Sequence, residues 1–233
     1  MDESSKLNFI FDFDWTIVTH KRFEEIIKDS VNYDSEKIDE YQNLRKLYKE
    51  CKITCEELIR RRMELCHFNK QIMKKIIDDC IIIDGIDKII NKIKQKENTE
   101  IYIISYSFNE IIEPIGFKLG IKKENIYAFK YIYNEEFEAI DLESDILLTS
   151  RVGKTDKIKE LKSKGALAGK TIMIGDGYPD LETIISGVSD DFIACAYANK
   201  NDLVIDSCNK FHYKVADSVC KLEEYIDTIL NKN

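Results

Sequence analysis

The chain has 233 residues and a formal net charge of −8, which leaves room for one large domain or for a core with a modest insert. The acidic balance argues against non-specific attraction to nucleic acid or to an anionic membrane, and it requires any phosphate site to be built locally. No segment approaches the ~20 apolar residues of a membrane span. The polar start at residues 1–6 also lacks the basic region of a secretion signal. A cytoplasmic protein, monomer or homodimer, with no membrane or nucleic-acid partner is therefore expected.

In chain order, the first signal is Leu7-Asn8-Phe9-Ile10-Phe11, a short apolar run that ends at Asp12. Residues 18–84 contain no good strand and read as helices over 23–31, 35–50, 55–67 and 70–79. Ser35 and Thr54 are the predicted N-caps, each followed by acidic residues in the first turn. Four further apolar runs follow, at 101–104, 126–129, 171–174 and 192–194. They alternate with helical patterns at 86–97, 108–119, 154–164 and 178–187. Near-continuous apolar runs alternating with helices predict a parallel sheet covered on both faces. Residues 131–133 and 137–140, around Asn134-Glu135, predict a β-hairpin. The seven cysteines include no CxxC pair. Cys51 and Cys55 lie four apart, and His20, His67 and His212 are scattered, so buried reduced thiols fit better than zinc.

Four segments place polar groups where ligands of open α/β sheets bind, at the carboxyl ends of strands. The first is Asp12-Phe13-Asp14-Trp15-Thr16. Two acids directly after a buried strand are costly unless a hard cation offsets them, although a lone DxD is equally an Asx turn capping a helix. The second is Ser105, whose hydroxyl can donate to a phosphate oxygen. The third is Val152-Gly153-Lys154-Thr155-Asp156, where a lysine opening a helix opposes the macrodipole unless an anion is bound there. Lys157 competes for that role. The fourth is Gly175-Asp176-Gly177-Tyr178-Pro179-Asp180, in which a strand-to-helix turn explains the glycines but not the carboxylate between them.

Each segment alone is weak. Together, the order DFDWT at 12–16, the apolar run ending in Ser105, Lys154, and GDGYPD at 175–180 resembles the haloacid dehalogenase superfamily of phosphohydrolases. The likeness spans nearly the whole chain. It implies an α/β fold with a Rossmann-like core at 1–17 and 85–233, and an all-helical C1 cap at 18–84 inserted after the first strand. Leu58 to Leu65, with Arg60, Arg61 and Arg62, is similar to the arginine-bearing cap helix of the phosphoserine-phosphatase-like branch.

This resemblance implies a Mg²⁺-dependent phosphatase acting on a small phosphorylated metabolite through a phospho-aspartate. Asp12 would be the nucleophile and Asp14 the general acid and base, oriented by Thr16. Mg²⁺ would be held by Asp12, the Asp14 backbone carbonyl and Asp176. Ser105 and Lys154 would hold phosphoryl oxygens, and Asp180 would orient Lys154 or a metal-bound water. Arg60, Lys21 and Tyr106 are the remaining candidates for substrate contact. The chain departs from the branch at several places. Lys21 stands about where an amine-reading Glu is expected, Tyr106-Ser107 replaces a Gly pair, Pro179 replaces an Asn, and Trp15 replaces a small residue. Phosphoserine is therefore disfavoured. Pyridoxal phosphate, phosphocholine or thiamine monophosphate are the alternatives, as is a phosphotransferase or protein phosphatase on the same chemistry.

Overall fold

The structure is a computed structural model that describes residues 6–49, 52–143, 146–150 and 152–232. Strand β1 (Leu7–Phe11) is buried along its whole length. Its one polar residue, Asn8, is fully buried and donates to the carbonyl of Ala168 at 2.7 Å. That bond lets an amide sit in an otherwise apolar run.

Past β1 the chain forms β2 (Val18–His20) and then helices α1 (Phe23–Ser30), α2 (Ser35–Lys49), α3 (Cys55–Cys66) and α4 (Lys70–Asp79). It returns through β3 (Cys80–Ile82). The four helices fall close to their predicted ranges, with Glu50 and Cys51 outside the described residues. Thr54 caps α3 by accepting from the Glu57 amide at 3.0 Å. For α2 the cap is Asp34, not Ser35: its carboxylate accepts from the amides of Glu36 and Lys37.

The expectation of a purely helical stretch from 18 to 84 is corrected by β2 and β3. They pair antiparallel, with Val18 opposite Ile82 and His20 opposite Cys80. Three-residue strands are too short to display a period of two. Backbone pairing where the chain leaves and re-enters the core is what forms this ribbon.

The rest of the chain is α5 (Ile86–Gln95), β4 (Thr99–Phe108), α6 (Asn109–Lys118), β5 (Ile126–Tyr133), β6 (Ala139–Glu143), α7 (Ile146–Thr149), α8 (Gly153–Ser163), β7 (Lys170–Gly175), α9 (Tyr178–Ile185), β8 (Asp191–Cys195), α10 (Asp202–Phe211), β9 (Lys214–Ala216) and α11 (Val219–Asn231). The main sheet has the order β6-β5-β4-β1-β7-β8-β9. All neighbours are parallel except β6, which pairs antiparallel with β5. The result is a Rossmann-like α/β fold, with the predicted hairpin as β5 and β6. Because the chain runs outward from β1 to β6 and then returns to β7 on the other side, the sheet reverses its strand order at β1. Ligands gather at such a switch point.

The helical segment leans on the hairpin. Ala139 N donates to Phe68 O at 2.7 Å and Lys70 N to Phe137 O at 3.1 Å. Helix α3 packs against β6. Among the described residues no helix is long and apolar enough to cross a membrane. The described cysteines carry free thiols.

Candidate active site

Asp12 follows β1, and its amide donates to Ile174 O of β7 at 2.9 Å, so the central strand pair fixes where its carboxylate emerges. Across from it, β7 ends in Gly175 and Asp176, and α9 brings Asp180. Carboxylate oxygens of Asp12, Asp176 and Asp180 all lie within 4.8 Å of one another. Lys154, in the first turn of α8, inserts its ammonium among them, 2.8 Å from Asp12 and 2.7 Å from Asp180.

Local sequence explains the fit. Asp180 accepts from Lys154 Nζ on Oδ1 and from the Gly177 amide at 2.9 Å on Oδ2, so both its oxygens are engaged. A Cβ built on Gly175 would stand 2.3 Å from the Asp180 carboxyl group. Glycine at 175 is thus the condition for Asp180 to reach inward. Gly153 similarly lets α8 start directly beneath the carbonyls of Leu147 and Leu148, 2.7 Å from where a Cβ would be.

Three carboxylates face one ammonium here, and the electrostatics follow. Burial, and then the Asp12 charge, push the Asp176 carboxyl up to about 6. Burial likewise moves Asp180 above the usual carboxylate range. Burial pulls the Lys154 ammonium down, but Asp12 and Asp180 outweigh it and hold its pKa above the usual lysine range. Excess buried negative charge on oxygen donors is the chemistry that a hard divalent cation neutralises. The donor set therefore fits Mg²⁺. Asn199, in the loop after β8, donates to Asp176 Oδ2 at 2.6 Å and orients that carboxylate; no sequence motif pointed to it.

A raised carboxyl pKa means that the folded protein holds a proton the unfolded chain has released. Without metal, the stability tied to Asp176 is therefore fully present below its ordinary pKa of 3.8 and is lost as pH rises through about 6. The effect is on the order of 3 kcal/mol. In EDTA, the midpoint difference between wild type and Asp176→Asn should shift in favour of the variant across that window. Added Mg²⁺ should raise the wild-type midpoint more at about pH 7 than at about pH 5, because cation and proton compete for the same oxygens. Thermal melts at the two pH values check this, and equal shifts would count against the cluster as a cation site.

The other candidates are distributed as follows. Ser105 is buried and accepts from the Ser107 amide at 3.2 Å, leaving its own O–H to donate. It lies where the β4–β5 register shifts, between Ile104 and Phe108. Tyr106 accepts from the Lys154 amide at 3.4 Å and stacks on Phe129, so it borders the lysine. Lys157 is bound to Glu160 at 2.6 Å; the lysine at the cluster is Lys154. The Asp14 carboxylate is not part of the three-acid group, and its Oδ1 lies 2.7 Å from His20 Nε2. Among the described residues the hydroxyl expected to orient Asp14, that of Thr16, is buried without a hydrogen-bond partner, and His20 holds the carboxylate. Lys21 is exposed just past β2. Arg60 is bound to Glu56 at 2.9 Å and to Asp141. Trp15 takes a left-handed backbone with φ of 61°. That conformation costs a bulky residue on the order of 1–3 kcal/mol, a physical reason for the small residue the resemblance leads one to expect there.

No protein-family model matches the chain. Among curated proteins, it is similar to the chloroplastic phosphoserine phosphatase of Arabidopsis thaliana, 28% identical over 139 residues that cover 60% of this chain and 46% of that protein. It is also similar to human phosphoserine phosphatase, 34% identical over 100 residues that cover 42% of this chain and 43% of the relative. The chain thus matches a little under half the length of these relatives. Among solved structures, a phosphoserine phosphohydrolase-like protein from Francisella tularensis superposes with a TM-score of 0.77 at 28% identity, covering 94% of this chain and 99% of the other.

Proposed function

We propose that this chain, a phosphoserine-phosphatase-like protein of the haloacid dehalogenase superfamily, hydrolyses a small phosphomonoester with Asp12 as nucleophile. One observation carries the reading: the Asp12 carboxylate emerges from the central strand into a group made of a buried lysine and two further acids. Asp12 attacks phosphorus and the ester oxygen leaves with a proton from Asp14. Asp14 then takes a proton from the water that cleaves the acyl phosphate. Ser105 and Lys154 hold the phosphoryl oxygens. Asp12, Asp176 and the Asp14 backbone carbonyl would hold Mg²⁺, which when bound neutralises charge between carboxylate and phosphate. The helical segment at 18–84 would act as a cap that excludes water and selects the leaving group.

The names of the relatives support a small phosphorylated metabolite. Lys21, where an amine-reading acid would be expected, argues against phosphoserine itself and leaves pyridoxal phosphate, phosphocholine and thiamine monophosphate as alternatives. For an anionic group on the substrate, Arg62 is a better reader than Arg60. Arg60 is already neutralised by Glu56 and Asp141. Among the described residues Arg62 Nε is buried without a hydrogen-bond partner, and its guanidinium lies 4.2 Å over Tyr41. Cys55, Ile59, Arg62 and Cys66 share one helical face. Burial is the main influence on the Cys55 thiol and raises it, with a weaker opposing pull from the Arg62 charge.

A panel of phosphorylated metabolites, read by released phosphate, tests the function. At least one ester should turn over with Mg²⁺, fall silent in EDTA and recover on adding Mg²⁺. No release from any ester would contradict the reading. On the best ester, Arg62→Ala should raise KM about tenfold or more, the worth of one charged hydrogen bond, and Arg60→Ala should leave it within about threefold.

A further inference from the structure

His20 is the last residue of β2, and its side chain is 8% exposed. Its ring is fixed on every side the structure shows. Nε2 lies 2.7 Å from Asp14 Oδ1 and Nδ1 lies 3.6 Å from Cys80 Sγ. Trp15 meets the ring edge-on at 6.1 Å, and Phe23 lies at 5.5 Å. The backbone holds the same arrangement: His20 stands opposite Cys80 in the β2–β3 ribbon, and Asp14 bridges to Val18. Burial pushes the Cys80 thiol up to about 12, so it keeps its S–H. With that thiol as the donor, Nδ1 is the acceptor of the pair. The tautomer this selects carries its hydrogen on Nε2 and donates it to Asp14.

We infer that His20 is a positioning residue that holds Oδ1 of Asp14 and thereby assigns the transferable proton of that carboxyl to Oδ2. The inference rests on the function proposed above. An oxygen already accepting from Nε2–H is a poor place for a second proton, so the acidic proton sits on the other oxygen, Oδ2. When the P–O bond to the leaving group breaks, the Oδ2 proton passes to the departing oxygen and the bond pair stays with that oxygen. The carboxylate left behind remains hydrogen-bonded to His20. In the second half, Oδ2 takes a proton from water as the water oxygen bonds to phosphorus and the P–O bond to Asp12 breaks, its electron pair returning to the Asp12 carboxylate. Holding one oxygen by a fixed ring removes the rotation that would otherwise spread the proton over both.

The role predicts a dependence on leaving-group basicity. Phenyl phosphate and p-nitrophenyl phosphate have similar shapes, but phenolate needs a proton to leave and p-nitrophenolate barely does. Their kcat/KM values include steps only as far as phosphoryl transfer to the enzyme, so they isolate the acid role. Wild type, His20→Ala, His20→Asn and His20→Gln are compared, with thermal melts confirming folding. His20→Ala and His20→Asn should lower kcat/KM for phenyl phosphate by about tenfold or more, a share of what general acid catalysis contributes. They should lower that for p-nitrophenyl phosphate less than about threefold, since little acid assistance is lost there. His20→Gln, whose amide nitrogen can occupy the place of Nε2, should recover most of the loss. Equal falls for both esters, no fall, or no recovery with glutamine would overturn the role of His20 while leaving the enzyme reading intact. A wild type inactive on both esters and on the metabolite panel would overturn that reading, and this one with it.

Discussion

Asp12→Asn should leave a folded protein whose phosphate release drops by on the order of 10⁴-fold or more, the scale of losing a covalent nucleophile. The substitution keeps the shape of the side chain. It also keeps the bond from the residue 12 amide to Ile174 O, so β1 and β7 stay paired. It removes one of three crowded negative charges, including the one that helps push Asp176 up. Stability in EDTA should therefore hold or rise, while the stabilisation given by Mg²⁺ shrinks. Activity assays on the best ester, paired with thermal melts with and without Mg²⁺, measure both effects. A variant that is stable and still active would remove Asp12 from the chemistry.

Lys154→Ala should be damaging twice over. Lys154 is 3% exposed and bridges Asp12 and Asp180. Its removal strands a buried carboxylate that had paired with it, and breaking a buried pair on one side costs about 3–5 kcal/mol. Chemical denaturation should show that loss. Asp180→Asn in the same chain should recover part of it, because the charge left unpaired is then gone. Catalysis should fall by about 10²–10³-fold even under conditions where the variant is folded, the usual loss on deleting one group that stabilises transition-state charge. Unchanged stability would mean that the bridge contributes nothing, and full additivity in the double variant would mean that Asp180 is not its partner.

The strands that build the sheet were readable because burial on both faces leaves near-continuous apolar runs, as in Phe9-Ile10-Phe11 and Ile101 to Ile104. The three-residue strands β2, β3 and β9 were not, since so short a run has no pattern of its own and forms only when a partner strand is present. The C-terminus carries a legible helical signal: Leu222, Ile226, Ile229 and Leu230 of α11 are buried at helical spacing. At the site, Asp12, Lys154, Asp176 and Asp180 stood out because strand ends and helix starts carry ligands. His20 did not, because a lone histidine in an apparently helical stretch gives no sign of a ribbon turning it back onto Asp14. Asn199 lies in a plain loop after β8. The two arginines of α3 differ in helical phase: Arg60 aligns with the half-exposed Glu56, whereas Arg62 aligns with the buried Cys55 and Cys66. That difference could be read from the sequence, but its consequence depended on which face the hairpin covers.

The central claim is that phosphate passes through a covalent bond to Asp12. Intact-protein mass spectrometry after acid quench during turnover tests it most directly, with peptide mapping to find the site. The account predicts an adduct of one phosphoryl group on the peptide carrying Asp12, lost on treatment with hydroxylamine and missing from Asp12→Asn. A protein that turns over substrate with no such adduct at any quench time, or with the label on another residue, would contradict it.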